Sequence, residues 1–337
     1  MKCLIVNKEN AEKAKKYLTK HSLLNSNYKV FGRKSFIYFP ISQDSSKLHK
    51  FGKIGNASFE KSIVKLNFKK ELDALLSDEK EHVARGYDLL GNIAIIEAEP
   101  KLAKKVARLI LLMNKNIETV LRKAGAVEGI YRKRQYKYVL GKRNFVAHYK
   151  ENGCIFEFDV RKVFFSTRLA YERHRISEQV KSGEHVLVMF AGVGPFAIEI
   201  AKAVPSSKVV AVELNKAGYQ YMLKNIKLNK VNNVTPLLGD ASKLPLKFKN
   251  FADRIVMPLP KDSYHFLDAA YSYASKKTVI HYYTFTERSQ NFDEAAKNIK
   301  NFFKGYKAGV KINKIRLVRP YSSKLVEVVI DFTLEKQ

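Results

Sequence analysis

The stretch Val186–Phe196, VLVMFAGVGPF, runs from a block of apolar residues into two glycines and a proline. The apolar block reads as a buried β-strand, and Pro195 suits the first turn of a helix. Gly192 and Gly194 fill the turn between them. Glycines there let backbone amides approach a ligand, with the partial positive charge of a helix N-terminus behind them. The next apolar run, VVAVEL, ends on Glu213, 19 residues beyond Gly194, where a carboxylate can accept both hydroxyls of a ribose. A third, VTPLLG, leads to Asp240, suited to an exocyclic amine or an adenine ring edge. A fourth, DRIVMPLP, ends at Pro258 and Pro260. Together these four strand ends describe an S-adenosylmethionine site. An oxidoreductase would show a third glycine where Pro195 stands nearby, and a phosphate-binding loop would carry Gly-Lys-Thr.

Outward from this stretch, residues 155 to the end alternate strand and helix, which implies an α/β, doubly wound, mostly parallel, Rossmann-like sheet of the class I methyltransferase type. Two smaller α/β, RNA-contacting domains are expected before it, giving boundaries of 1–55, 56–150 and 151–337. In the first, CLIV is a strand, KENAEKAKKYLTKHSLL a helix, and YKVFGRKSFIYFPI a hairpin turning at Gly32. The polar, aperiodic segment around Gly52 and Gly55 reads as a linker. In the second, SIVKLNFKKELDALLSDEKEHVA reads as strand then helix, YDLLGNIAIIEAE as a pair of strands, and KLAKKVARLILLMN as an amphipathic helix.

Composition indicates a polyanionic partner. The 337 residues carry 62 Lys and Arg against 32 Asp and Glu, a net charge of +30. Such a surface releases counterions when it meets nucleic acid. The cations cluster in GIYRKRQYKYVLGKRNF, where Arg132, Lys133, Arg134, Lys137 and Arg143 are interleaved with Tyr131, Tyr136 and Tyr138. Basic residues alternating with rings suit an RNA-facing strand or loop. Cys3 and Cys154 make neither a disulfide framework nor a metal cluster, and no metal is expected. No run of 18 apolar residues occurs, and the N-terminus is charged too soon for a secretion signal, so a cytoplasmic protein without a membrane partner is expected.

The run ENGCIFEFDVRKVFFSTRLAYERHRI at 151–176, with MFAGVGPFAI, KNIKLNK and VIHYYTF, resembles the archaeal and eukaryotic tRNA (guanine-N1)-methyltransferase family that acts at position 37, beside the anticodon. The resemblance is strong over 145–337 and extends in order and size to the two domains before it. It implies tRNA as partner, held at the anticodon stem-loop and the elbow; an active site built from one chain's domains makes a monomer the expectation. It also implies that Glu172, in STRLAYER, is the general base. Guanine N1 bears a proton at neutral pH, so a carboxylate must remove it while an Arg donor meets the charge developing on O6. The family's Arg lies in a middle-domain segment that is shorter here, which leaves Arg132 and Arg134 as candidates. The expected cofactor residues are Phe165, Phe190, Ala191, Gly192, Gly194, Glu213, Leu214, Asp240 and Ala241. The expected substrate residues are Pro258, Pro260, Arg168, Lys133, Lys137 and Arg143.

Two departures stand out. Val188 occupies a first-strand position where many methyltransferases carry an acid. Pro258 stands where single-activity members have the Asn of Asn-Leu-Pro, which resembles the archaeal subgroup that also methylates C7 of the wyosine precursor 4-demethylwyosine. Proline offers shape and a carbonyl rather than an amide, so an enlarged base leaves no buried donor unpaired. Dual activity is therefore the expectation, with a monofunctional enzyme as the alternative.

Overall fold

The computed structural model describes the chain except residues 62–67, 77–83, 85, 129–132, 289–291 and 307, together with the side chains of 74, 126–128, 133 and 134. It divides into two compact units, Met1–Glu71 and Leu72–Gln337.

The first unit holds β1 (Lys2–Asn7), α1 (Ala11–Lys20), β2 (Phe31–Arg33), β3 (Phe36–Pro40) and β4 (Lys53–Asn56), in the sheet order β2-β3-β1-β4. Alternate residues Leu4 and Val6 of β1 meet Ala14 and Leu18 of α1 in a core closed by Phe39 and Leu48. Two expectations are corrected here. The hairpin turns at Lys34-Ser35, with Lys34 at φ 53, and Gly32 lies inside β2. The supposed linker contains β4, which pairs antiparallel with β1, so a boundary at 55 would cut a strand. Its glycines answer to packing, because a Cβ on Gly52 would collide with the Ile5 carbonyl and one on Gly55 with the Ile5 side chain.

Helix α2 (Phe68–Leu76) follows; the strand expected before it and the continuation of this helix beyond 76 lie outside the described residues. In the second unit β5 (Asp88–Leu90), β6 (Ile93–Ile96), α3 (Pro100–Met113), β7 (Thr119–Glu128) and β8 (Lys133–Gly141) form a four-stranded sheet with its helix. The hairpin β9 (Val146–Glu151) and β10 (Cys154–Asp159) comes next. Then come α4 (Ala170–Ser177), β11 (His185–Val188), α5 (Pro195–Ala203), β12 (Lys208–Glu213), α6 (Lys216–Leu228) and β13 (Val234–Leu238). The chain closes with β14 (Ala252–Met257), α7 (Leu267–Tyr273), β15 (Ala274–Glu287), α8 (Asp293–Phe303), β16 (Ala308–Pro320) and β17 (Leu325–Lys336).

These last strands make a seven-stranded sheet, β13-β12-β11-β14-β15-β17-β16. The first five run parallel, and β17 and β16 add antiparallel. The inner strands are buried on both faces, which is why they read as unbroken apolar runs rather than alternating ones. Strand order reverses at β11 and β14, so their carboxyl ends open the crevice where such folds bind ligands. That crevice carries both the glycine turn and the Pro258–Pro260 segment.

Candidate active site

The glycine turn is held by its backbone. Gly192 has φ +59 and Gly194 φ +89, conformations that L side chains rarely adopt. Gly194 caps α5, and Pro195 follows as its first residue. Phe190 also has positive φ, 55, and its ring meets Phe266 edge-on at 4.7 Å. The turn walls a cavity of about 360 Å³ lined by Phe165, Phe190, Ala191, Gly192, Glu213, Leu214 and Pro258, among others. Seven expected residues are thus brought together by four separate segments.

Glu213 is the polar centre of this cavity. Its Oε2 accepts from the Gly192 amide at 2.6 Å and its Oε1 from the Asn215 amide at 2.7 Å. Burial pushes the carboxyl above its ordinary range, and the amides of Asn215, Gly192 and Leu214 pull it back. Each oxygen keeps a lone pair for a ribose hydroxyl. Gly218 in α6 is small for the same reason, since a Cβ would sit 3.1 Å from the Glu213 side chain and 3.3 Å from the Gly192 carbonyl. A carboxylate, apolar walls and a glycine turn fit S-adenosylmethionine, whose nucleoside and sulfonium need those surroundings.

Other expected residues fall elsewhere. Asp240 is not among the cavity-lining residues; its Oδ1 accepts from the Ser242 amide and hydroxyl. Ala241 is buried in the core and Pro260 is buried beside the cavity without lining it. Phe165 does two jobs, stacking on Phe158 at 4.6 Å while facing the cavity. Arg168 is exposed and pairs with Asp88 at 3.4 Å in a neighbouring cavity of about 240 Å³ that also includes Lys123, Tyr136, Arg319 and Tyr321. Lys137 and Arg143 are exposed, with Arg143 over the Tyr138 ring. Arg132 and the side chains of Lys133 and Arg134 lie outside the described residues.

Glu172 is 3% exposed and lines neither cavity. Its Oε2 accepts from Arg175 Nε at 3.0 Å and from the Tyr283 hydroxyl at 3.1 Å. Its helix position, three residues before Arg175, accounts for that ion pair, which is buried, whereas Arg168 pairs with Asp88. Arg175 continues to Asp331 at 2.6 Å, Asp331 to His281 Nδ1 at 2.6 Å, His281 Nε2 to Arg254 at 2.8 Å, and Arg254 to Glu184 at 2.6 Å. A guanidinium only donates, so His281 Nε2 accepts and its proton sits on Nδ1. The imidazole is neutral, in keeping with burial, which pushes His281 down. For Arg175, burial works against the charge, but hydrogen bonds to Asp331 and Glu172 outweigh it and hold the guanidinium protonated.

Arg173, unremarked from sequence although it lies within STRLAYER, lines the larger cavity and is 1% exposed. It grips Glu151 through two bonds of 2.5 and 2.7 Å and donates to the Ser166 carbonyl at 3.0 Å. Nearby, Glu199 on α5 is 3% exposed, and among the described residues neither carboxylate oxygen has a hydrogen bond of ordinary geometry; His174 Nδ1 stands 3.4 Å away. Burial, with Glu151 adding to it against Asn152, Arg173 and His174, pushes its carboxyl up to about 7. A raised carboxyl favours the fold while protonated, so this contribution is whole below about 4.5 and fades as pH rises through about 7. Glu199→Gln should therefore increase the unfolding free energy read from urea titration at pH 8, by up to about 3 kcal/mol, and change it little at pH 5.

The crossover sheet, the glycine turn and the ribose carboxylate define an S-adenosylmethionine-dependent class I methyltransferase. Family models match residues 3–49 as a tRNA methyltransferase 5 N-terminal domain, 68–144 as a TYW2 N-terminal domain, and 147–312 as a TRM5/TYW2 methyltransferase domain. A Pyrococcus abyssi protein described as tRNA (guanine(37)-N(1))-methyltransferase Trm5b is 33% identical over 327 residues, 96% of each chain. The chain belongs to the TRM5/TYW2 family of tRNA methyltransferases. A solved complex of aTrm5 and tRNALeu superposes with a TM-score of 0.76 at 30% identity, covering 98% of this chain and 99% of that one. Methanocaldococcus jannaschii TYW2 in complex with AdoMet gives 0.61 at 26% identity, over 75% and 100%. Among the described residues no helix is long and apolar enough to cross a membrane, and no group of side chains could hold a metal.

Proposed function

We propose that the protein methylates N1 of guanosine 37 in tRNA, with Glu172 as the base that takes the N1 proton. The observation that carries the base assignment is the asymmetry of Glu172: among the described residues, Oε2 is anchored by two donors and Oε1 by none at hydrogen-bond distance. S-adenosylmethionine supplies an electrophilic methyl on a sulfonium; Glu213 and the glycine turn hold it. The end-to-end similarity to a guanosine-37 N1-methyltransferase supports the single activity over the dual one. The target purine must be turned out of its stack at a cost of a few kcal/mol. The 240 Å³ cavity offers it Tyr136 and Tyr321 with Arg168 and Arg319 at hand. Lys133, Lys137, Arg143, Arg132 and Arg134 would hold phosphates or the base from the middle segment, and Asp240 the adenine amine. The site is built within one chain, so a monomer suffices.

Pro258 favours a second reading, added C7 methylation of 4-demethylwyosine, because it lines the cofactor cavity with no side-chain donor. Nucleoside mass spectrometry separates the two, using S-adenosylmethionine and tRNAs carrying guanosine or the tricyclic precursor at position 37. We expect 1-methylguanosine from the first and no product from the second. Product from both establishes dual activity, and Pro258→Asn should then suppress the tricyclic product by about tenfold or more. Product from neither removes the proposal.

A further inference from the structure

Two register shifts in the edge strand β16 decide where its cations point. They fall between Ile312 and Lys314 and between Leu317 and Arg319, and leave Lys314 opposite Asp331, Arg316 opposite Val329 and Arg319 opposite Glu327. Those partners are alternate residues of β17 and share one face, so the three cations share it too. It is the face against which α4 lays Glu172 and Arg175, since Arg175 reaches Asp331 there. Arg319 forms part of the 240 Å³ cavity, Arg316 lies beside Glu172 and Lys314 stands opposite Asp331, so the row leads from that cavity past Glu172.

Arg316 is the member that meets Glu172. Its Nε is shielded from solvent, has no hydrogen-bond partner among the described residues, and lies 3.8 Å from Glu172 Oε1, the oxygen that Arg175 Nε and Tyr283 leave open. The other end of the guanidinium lies over the exposed Tyr171 ring at 5.3 Å and donates to its hydroxyl at 3.2 Å. A buried donor without an acceptor is costly, more so when charged. An acceptor, Oε1, and an unused donor, Nε, thus stand side by side. The 6-oxopurine edge presents the complement: a donor at N1 next to an acceptor at O6.

We propose that Arg316 is a further catalytic residue, donating to O6 of the target guanine while Glu172 takes the N1 proton. The N1–H pair stays on the base and its charge spreads to O6, where the guanidinium meets it without giving up a proton. The N1 pair then forms the bond to the methyl carbon as the carbon–sulfur bond breaks, its electrons staying on sulfur. This rests on the N1-methylation reading above, and it supplies an O6 donor from the catalytic domain itself.

Single-turnover methylation at saturating S-adenosylmethionine and tRNA tests it with Arg316→Ala and Arg316→Lys. Loss of one such donor lowers rates by about 100-fold, so Arg316→Ala should fall by that much, with Arg316→Lys recovering part. Affinities for tRNA and cofactor should stay within about threefold of wild type, as expected when a group acts mainly in the transition state. A tRNA bearing 6-thioguanosine should shrink the penalty, because sulfur is the weaker acceptor; a merely structural role would not respond to that atom. An unchanged saturated rate, or a loss confined to tRNA affinity, overturns the proposal and leaves Arg316 a phosphate contact. If wild type makes no 1-methylguanosine, the reading beneath fails, which the wild-type arm alone reveals.

Discussion

Glu172→Gln should lower the saturated rate of guanosine N1 methylation by about 10³-fold, within the range for loss of a positioned general base. The amide keeps the shape of the carboxylate and can still accept from Arg175 or Tyr283 through its oxygen, so the buried network loses a charge rather than a volume. What it cannot do is hold the proton of N1. Cofactor affinity, read by calorimetry, should hold, because Glu213 and the glycine turn form a separate set of contacts. A variant that keeps more than about a tenth of the wild-type rate would remove Glu172 from the base role, since general-base catalysis contributes at least 10²-fold.

Arg173→Ala should destabilise the protein by about 3–5 kcal/mol in urea unfolding, because it leaves Glu151 as an uncompensated buried charge. The pair is 1% and 9% exposed, so water does little to relieve the loss. The guanidinium also stands 5.1 Å from the Phe165 ring and 5.9 Å from the Phe196 ring, and removing it opens the wall of the cofactor cavity. Adding Glu151→Gln to Arg173→Ala should recover part of the stability, because the stranded charge goes. If the double variant is no more stable than the single one, the loss comes from packing and not from charge.

Much of the catalytic fold was legible because each strand of a parallel sheet buried on both faces is a continuous apolar run, and its ligand-bearing residues sit at the strand ends. Glu213 follows from that rule directly. The first unit was less legible. Lys34 carries the turn of its hairpin with a φ of 53, without the Gly or Asn that announces such turns. Gly52 and Gly55 look like linker residues, yet close approach to Ile5 explains them, and only the β1–β4 pairing shows it. Arg173 lay inside a recognised stretch but was passed over, since sequence alone does not tell a buried Arg from an exposed one on a short polar helix. Arg316 was out of reach for another reason. Its facing depends on two bulges, and strict alternation along β16 would have placed Arg316 and Arg319 on opposite faces.

The chain of side chains from Glu184 through Arg254, His281, Asp331 and Arg175 to Glu172 has a consequence for descent as well as for chemistry. Each member fixes the protonation or orientation of the next, down to the tautomer of His281. Substitutions within one such network do not add independently. Altering Asp331 would leave Arg175 with Glu172 as its remaining carboxylate and would free His281 Nδ1 at once. These six positions, drawn from α4, from the loop before β11 and from three strands, should therefore tolerate substitution as a set rather than one at a time. A change at Glu184 is felt, through Arg254, His281, Asp331 and Arg175, at the carboxylate proposed as the general base.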